Sequence, residues 1–367
     1  MDARTATAEH RATLDSVVER LARRAVTRGD NTVDILLLSG GGQYGAYGAG
    51  FLRGWKARAD GAPMPRFDLV TGVSTGALQA PFALIGTDTA LASLSALYLG
   101  AAERIAPGID WWFWLRRTGG LVKSDRLLKT IETEVNASMR DALRAEFRQG
   151  RQLAVGTADL DLGTGRMWDM QRVFDSTAAG LARAHRVFLS SAAIPGVFPP
   201  VVLGDGHVHT DGGVVANLLS PLSLPQYEAL VRRRRASGAR DVLTVRVWAL
   251  LNTPTHQAPQ VMDPASRRGV KQRADFLLFF AQQPQALEHL TTLERAVNSS
   301  VPGVRMQLRI ATIPAELASE PAAKKLFDRG FMVRLEQLGY AKARSAQPWD
   351  SVVASPYERP STTGSPP

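Results

Sequence analysis

The chain has 367 residues, 45% hydrophobic and 21% charged, enough for one large globular core or two smaller ones. It contains no cysteine, which excludes disulfides, thiolate metal sites and cysteine nucleophiles. The 44 basic residues outnumber the 34 acidic ones, a surplus that favours anionic partners, but no nucleic-acid-binding signature accompanies it.

Residues 1–30 lack the apolar core of a secretory signal, and no stretch approaches the ~18 uninterrupted apolar residues of a spanning helix. The expectation is a soluble chain, cytoplasmic or peripheral to a membrane. Leu14, Val17, Val18, Leu21 and Ala22 recur at helical spacing among charged residues, which predicts an amphipathic N-terminal helix. Asp34 to Ser39 contains Ile-Leu-Leu-Leu without polar alternation, as in a strand buried on both faces. The glycine loop Gly40-Gly41-Gly42-Gln43-Tyr44-Gly45 follows at once and leads into a helix from Ala46 to Trp55. Phe67 to Thr71 is a second strand, and Gly72-Val73-Ser74-Thr75-Gly76 turns it into a helix reaching Ile85. Strand, glycine turn and helix thus occur twice, which predicts βαβ units and an α/β sheet.

A helix is predicted from Asp88 to Leu99. The knot Trp111-Trp112-Phe113-Trp114 with Arg116 and Arg117 suits either a buried cluster or an interfacial anchor. Ser124 and Asp125 open a helix expected to run to Met139 or beyond. Gln152 to Ala158 reads as a strand, Gly163 to Trp168 as a turn into another, and Leu181 to Ser191 as a helix. Val197 to Val201 is extended, and His207 to Thr210 is a short strand that delivers Asp211 onto Gly212 and Gly213. Beyond it lie a helix carrying Arg232 to Arg235, read as a solvated face, and a strand from Asp241 to Leu251. A loop over Asn252 to Gly269, helices at 270–298, a strand from Val304 to Thr312 and an amphipathic helix from Ala322 to Arg344 complete the order. Residues 346–367 hold little apolar matter and are expected to be disordered.

Gly-x-Ser-x-Gly between a buried strand and a helix holds a serine hydroxyl out at the carboxyl end of a sheet. Ser74 is therefore the candidate nucleophile, with Gly72 and Gly76 removing side chains that would collide. The loop Gly40-x-Gly42-x-x-Gly45 also matches a dinucleotide fingerprint. That motif expects an acid at the end of the next strand, where this chain has Ser74; Asp60 lies in the preceding loop. Consecutive glycines can instead converge backbone N–H groups on a developing oxyanion, with Gly41 and Gly42 as donors. Asp211 is the candidate base, although Asp-Gly alone is also a common hairpin turn. Histidine is the usual third partner. His256 and His289 lie downstream without a local signature, while His207 and His209 alternate on the strand of Asp211 and leave a histidine-assisted route open. His-x-His is also a weak metal pattern with no further ligand set apparent, so no metal or cofactor is expected.

Together these motifs resemble the patatin-like phospholipase family. The segment Ser190 to Pro200, with Pro195, Phe198 and Pro199, is similar to the family block that precedes the acid. The resemblance spans about residues 33–222. It implies an α/β three-layer sandwich with a mostly parallel central sheet, a Ser74–Asp211 dyad, and an oxyanion loop of Gly40, Gly41, Gly42 and Gly45, with Gly212 and Gly213 completing the acid turn. It also implies lipid acyl hydrolysis through an acyl-enzyme, acyl lipid or phospholipid substrates with peripheral membrane contact, no cofactor and no nucleic acid. Many relatives carry arginine where this chain has Tyr44, which leaves open how the loop is braced. The expected organisation is an N-terminal helix (1–32), a catalytic core (33–225), an α/β extension (226–345) and a tail (346–367). A catalytically silent lipid-binding or scaffold protein of the same fold is the alternative.

Overall fold

The computed structural model describes residues 3–59, 63–104, 122–255, 259–280, 282–324 and 327–350. The Trp111–Trp114 knot with Arg116 and Arg117, Asp60, His256 and residues 351–367 lie outside them. The chain runs through α1 (Ala3–Arg28), β1 (Thr32–Leu38), α2 (Gly45–Lys56), β2 (Leu69–Val73), α3 (Thr75–Ile85), α4 (Asp88–Leu99) and α5 (Ala101–Arg104). It continues through α6 (Asp125–Glu134), α7 (Ala137–Arg148), β3 (Gln152–Asp159), β4 (Thr164–Asp169), α8 (Met170–Val173), α9 (Ala178–Ser191), β5 (Val201–Val202) and β6 (Val208–Asp211). Then come α10 (Leu224–Ala236), β7 (Leu243–Pro254), α11 (Arg267–Phe280), α12 (Gln282–Ser300), β8 (Val304–Ile313) and α13 (Arg329–Arg344).

The strands form one sheet in the order β5-β6-β3-β2-β1-β7-β8, with β4 also on β3. Pairings among β3, β2, β1, β7 and β8 are parallel, while β4, β5 and β6 are antiparallel additions at one edge. The sheet is mostly parallel, as the sequence predicts. β1 and β2 are buried along nearly their whole length, which accounts for their unbroken apolar runs. One face packs Phe51, Phe82, Leu94, Phe188 and Leu335 from α2, α3, α4, α9 and α13. The other packs Leu21, Leu230 and Leu290 from α1, α10 and α12. Helices on both faces make three layers. Among the described residues, no helix is long and apolar enough to cross a membrane.

Several elements differ from the sequence reading for local reasons. The helix opened at Asp125 does not continue past Glu134; Asn136 caps a new one, its side chain accepting from the Met139 N–H. The last helix begins at Arg329 rather than Ala322, because Asp328 caps it and Phe327 takes a positive φ of 57°. β7 runs three residues beyond Leu251, to Pro254. The arginine run is not a free solvated face. Arg234 is buried and donates to Asp241 O and Asn31 Oδ1, Arg233 pairs with Asp15, and Arg235 donates to Pro302 O. Residues 346–350 do not behave as a loose tail. Trp349 packs against Phe51, Trp55 and Trp248, and Asp350 accepts from Thr312 N–H and pairs with Lys342.

A buried charge cluster fixes α1 to the sheet. Asp34 on β1 and Asp68 just before β2 are fully buried. Arg28 donates to both, at 2.9 and 2.8 Å, Arg24 donates to Asp68 at 2.8 Å, and Arg246 grips Asp34 with two bonds of 2.7 Å. Such carboxylates are tolerable inside only while their cations remain. Arg28→Ala is expected to cost about 3–5 kcal/mol in urea unfolding; a loss below ~1 kcal/mol contradicts the role assigned to the cluster.

Candidate active site

The site lies at the carboxyl ends of the parallel strands. β2 ends at Val73, and Ser74 takes φ 54° and ψ −123°, a conformation that a β-carbon resists. The turn closes tightly: a Cβ on Gly76 would lie 2.3 Å from Leu38 O, and one on Gly72 would lie 2.3 Å from Gly76 O. Ser74 is only 3% exposed, and its own N–H donates to Ser191 Oγ at 3.0 Å. Ser191 in turn donates to Gly156 O at 2.7 Å, tying the serine turn to β3.

Asp211 ends β6, and its partner across the pair is Thr157 of β3. Its N–H donates to Ala193 O at 3.1 Å, and the neighbouring Thr210 hydroxyl donates to the same carbonyl at 2.6 Å. The segment after α9 therefore grips both candidate residues, the serine through Ser191 and the acid through Ala193. Asp211 is fully buried. Its Oδ1 accepts the Gly213 N–H at 2.8 Å, while Oδ2 has no hydrogen-bond partner of normal length. Burial pushes the carboxyl up to about 7, against the opposing pull of the Ser74 hydroxyl and the Gly213 N–H. The hydroxyl is thus near enough to act on the carboxylate without forming a tight bond to it.

The glycine loop faces this pair. Gly40 N–H donates to Asn217 O, Tyr44 N–H to Gly41 O, and Gly45 N–H to Gln43 O and Gly42 O. The N–H groups of Gly41 and Gly42 have no acceptor among the described residues. Gly42 has φ +57° and lines the same cleft as Ser74. At Gly41 a Cβ would meet Asn252 O at 1.7 Å, so the loop lies directly on the end of β7. Asn252 holds it there, donating to Ser39 O at 2.8 Å and to Gln79 Oε1 at 3.0 Å, and Gln79 donates to Gly45 O at 2.7 Å. Tyr44 packs edge-on against Phe331 at 5.5 Å, and the Gln43 amide bonds Ala322 O, Ala323 O and Asp328 N–H. The loop is therefore braced from the C-terminal third of the chain.

Asn217 was not singled out by its sequence. It is 2% exposed, and both atoms of its amide lack partners. A Cβ at Gly40 would lie 2.3 Å from its Oδ1 and 3.0 Å from Ser74 Cβ, so this amide borders the site. Ser191 was visible only within the Ser190–Pro200 block. Nothing in sequence spacing marks either as a neighbour of Ser74.

No histidine joins the pair among the described residues. His207 bonds Asp159, His209 bonds Asp205 and Thr157, and His289 is exposed on α12. The cleft above Ser74 holds about 480 Å³, counted out to its open mouth. Its walls are apolar, with Leu78, Leu97, Leu127, Ile194 and Phe198 among them. Ser74 in its strained turn and Gly42 thus open onto a surface suited to hydrocarbon, with the Asp211 carboxyl buried behind them.

No curated protein matches the chain. The crystal structure of VipD from Legionella pneumophila resembles it at 12% identity and a TM-score of 0.42, covering 85% of this chain. This chain spans 66% of the length of that one, and a likeness so distant does not bear on function. A family model described as Patatin-like phospholipase matches residues 36–222, just over half of the sequence, and the chain belongs to that family.

Proposed function

We propose that the protein hydrolyses acyl esters of lipids with Ser74 as nucleophile and Asp211 as base, through an acyl-enzyme. Ser74 Oγ attacks the ester carbonyl carbon and its proton passes to Asp211 Oδ2. The carbonyl oxygen, now negative, is met by the N–H groups of Gly41 and Gly42, each donor worth roughly 10²–10³ in rate. Collapse breaks the ester C–O bond, and Asp211 returns the proton to the leaving alcohol. Water then repeats the sequence on the acyl-enzyme, giving the fatty acid and free Ser74. The observation that carries this reading is the buried Asp211 carboxyl, which the Ser74 hydroxyl acts on and whose Oδ2 has no hydrogen-bond partner among the described residues.

An ordinary aspartate, near 3.9, is a feeble base for a serine hydroxyl. Burial strengthens this one, at a cost in stability that gives the account a pH signature. The apolar cleft supports a lipid acyl chain as the group bound, since it offers hydrocarbon contact with few polar anchors.

Ser74→Ala is expected to abolish release of fatty acid from phospholipid vesicles while leaving the thermal midpoint within a few degrees; retained turnover overturns the assignment. Because Asp211 must be ionised to accept a proton, kcat/KM is expected to fall as pH drops through about 7. Stability runs the other way: the neutral acid is favoured in the fold, so the wild type loses stability as pH rises from near 4 through about 7. Asp211→Asn is therefore expected to be inactive, yet more stable than the wild type above pH 7 by a few kcal/mol in urea unfolding; an unchanged pH dependence contradicts the buried base. Ser191→Ala, which frees the serine turn, is expected to lower kcat about 100-fold with little change in KM; a KM effect alone would mean that Ser191 does not position the turn.

A further inference from the structure

Two residues before Asp211 on β6 lies a second cluster of polar side chains for which the proposed hydrolysis has no use. His209 is fully buried, and its Nε2 lies 3.2 and 3.1 Å from the two carboxylate oxygens of Asp205 and 3.9 Å from Asp159 Oδ2. The Asp159 and Asp205 side chains are 1% and 6% exposed. Among the described residues, neither carboxylate forms an ion pair with a lysine or arginine. Two buried carboxylates thus converge on one imidazole nitrogen, and among the described residues the charged groups paired with them are histidines.

The surroundings are those of a metal ligand set. Three donors from three separate segments (the end of β3, the β5–β6 turn and β6) meet within 4.8 Å of one another. Bonds of about 2.0–2.2 Å to nitrogen and oxygen place neighbouring tetrahedral donors roughly 3.4 Å apart, and the distances from His209 Nε2 to the two carboxylates run from 3.1 to 3.9 Å. The other nitrogen of His209 is held by the Thr157 hydroxyl at 3.0 Å, and Trp168 donates to that hydroxyl at 2.9 Å. Such an outer partner orients a ligating imidazole. Asp159 is oriented in the same way: its Oδ1 accepts the N–H groups of Asp161 and Leu162, and Oδ2 bonds His207 Nδ1 at 2.7 Å.

We propose that Asp159, Asp205 and His209 bind a divalent metal ion of the zinc or manganese class. Mixed imidazole and carboxylate donors without thiolate suit these ions, and the chain has no cysteine to draw softer ones. The three protein ligands leave a coordination position for water. The ion would tie the β5–β6 turn to β3, two residues from Asp211, and its role there is to stiffen the strand that carries the acid. The proposal departs from the sequence expectation of no metal: His207-x-His209 is visible in the sequence, but Asp159 and Asp205 come from elsewhere in the chain.

The test uses the full chain stripped with a chelator and titrated calorimetrically with zinc or manganese chloride near pH 7.5. One ion per chain and a raised thermal midpoint are expected. His209→Gln is expected to abolish uptake. Asp205→Asn, in the turn between Gly204 and Gly206, is expected to weaken it at least ~10-fold, and Thr157→Val, which removes the outer partner of the imidazole, by about 10–100-fold. Circular dichroism confirms that the variants fold. No uptake by the wild type, or uptake unchanged in the Asp205 and Thr157 variants, overturns the site and leaves a hydrogen-bonded His–Asp pair only. None of these readings depends on hydrolysis, so this proposal and the hydrolytic one fail separately.

Discussion

Burial of one carboxylate is the constraint on which the rest of the site depends. Among the described residues Asp211 has no cation beside it, and the Gly213 N–H and the nearby Ser74 hydroxyl oppose the cost of removing it from water. That cost is what gives the group basic strength. In solution it would relax, so the fold has to enforce it. β6 sits against β3, the Ala193 carbonyl fixes the acid's own backbone, and the apolar cleft keeps bulk water away. The same segment holds the Ser74 turn through Ser191, so one stretch of chain sets the separation of the two groups. Mutual positioning of this kind counts for more than the strength of any single bond.

The two ends of the sheet divide the work. At the amino ends of β1 and β2, Asp34 and Asp68 are saturated by Arg24, Arg28 and Arg246, and the charges there have no unmet capacity. At the carboxyl ends, Asp211 Oδ2, the Asn217 amide and two glycine N–H groups lack partners among the described residues. Buried polar groups are rarely left unpaired without a reason. Their concentration at the end where open α/β sheets bind ligands is what the proposed reaction would draw on. The C-terminal third contributes as well: Asn252 of β7 and Phe331 of α13 seat the glycine loop, so this part belongs to the site's support.

What was legible in the sequence follows from range. The βαβ pattern, the serine turn and the acid turn are local: each needs a buried run and glycines a few residues apart. Features made by distant partners were not legible. Asn217 looks like any polar residue until Gly40 is placed against it. Trp349 sits in a polar tail by composition, but an aromatic pocket assembled from α2 and β7 captures it. The arginines of α10 look solvated until Asn31 and Asp241 close over Arg234. Asn136 was a local cap signal that the reading passed over.

The most direct test of the Ser74–Asp211 account is the rate at which a fluorophosphonate labels the protein, with the adduct mapped by mass spectrometry. The account predicts a single adduct on Ser74, formed fast in the wild type and slowed by more than about 100-fold when Asp211 is replaced by asparagine. Labelling of another residue, or labelling of Ser74 at a rate indifferent to Asp211, would contradict it.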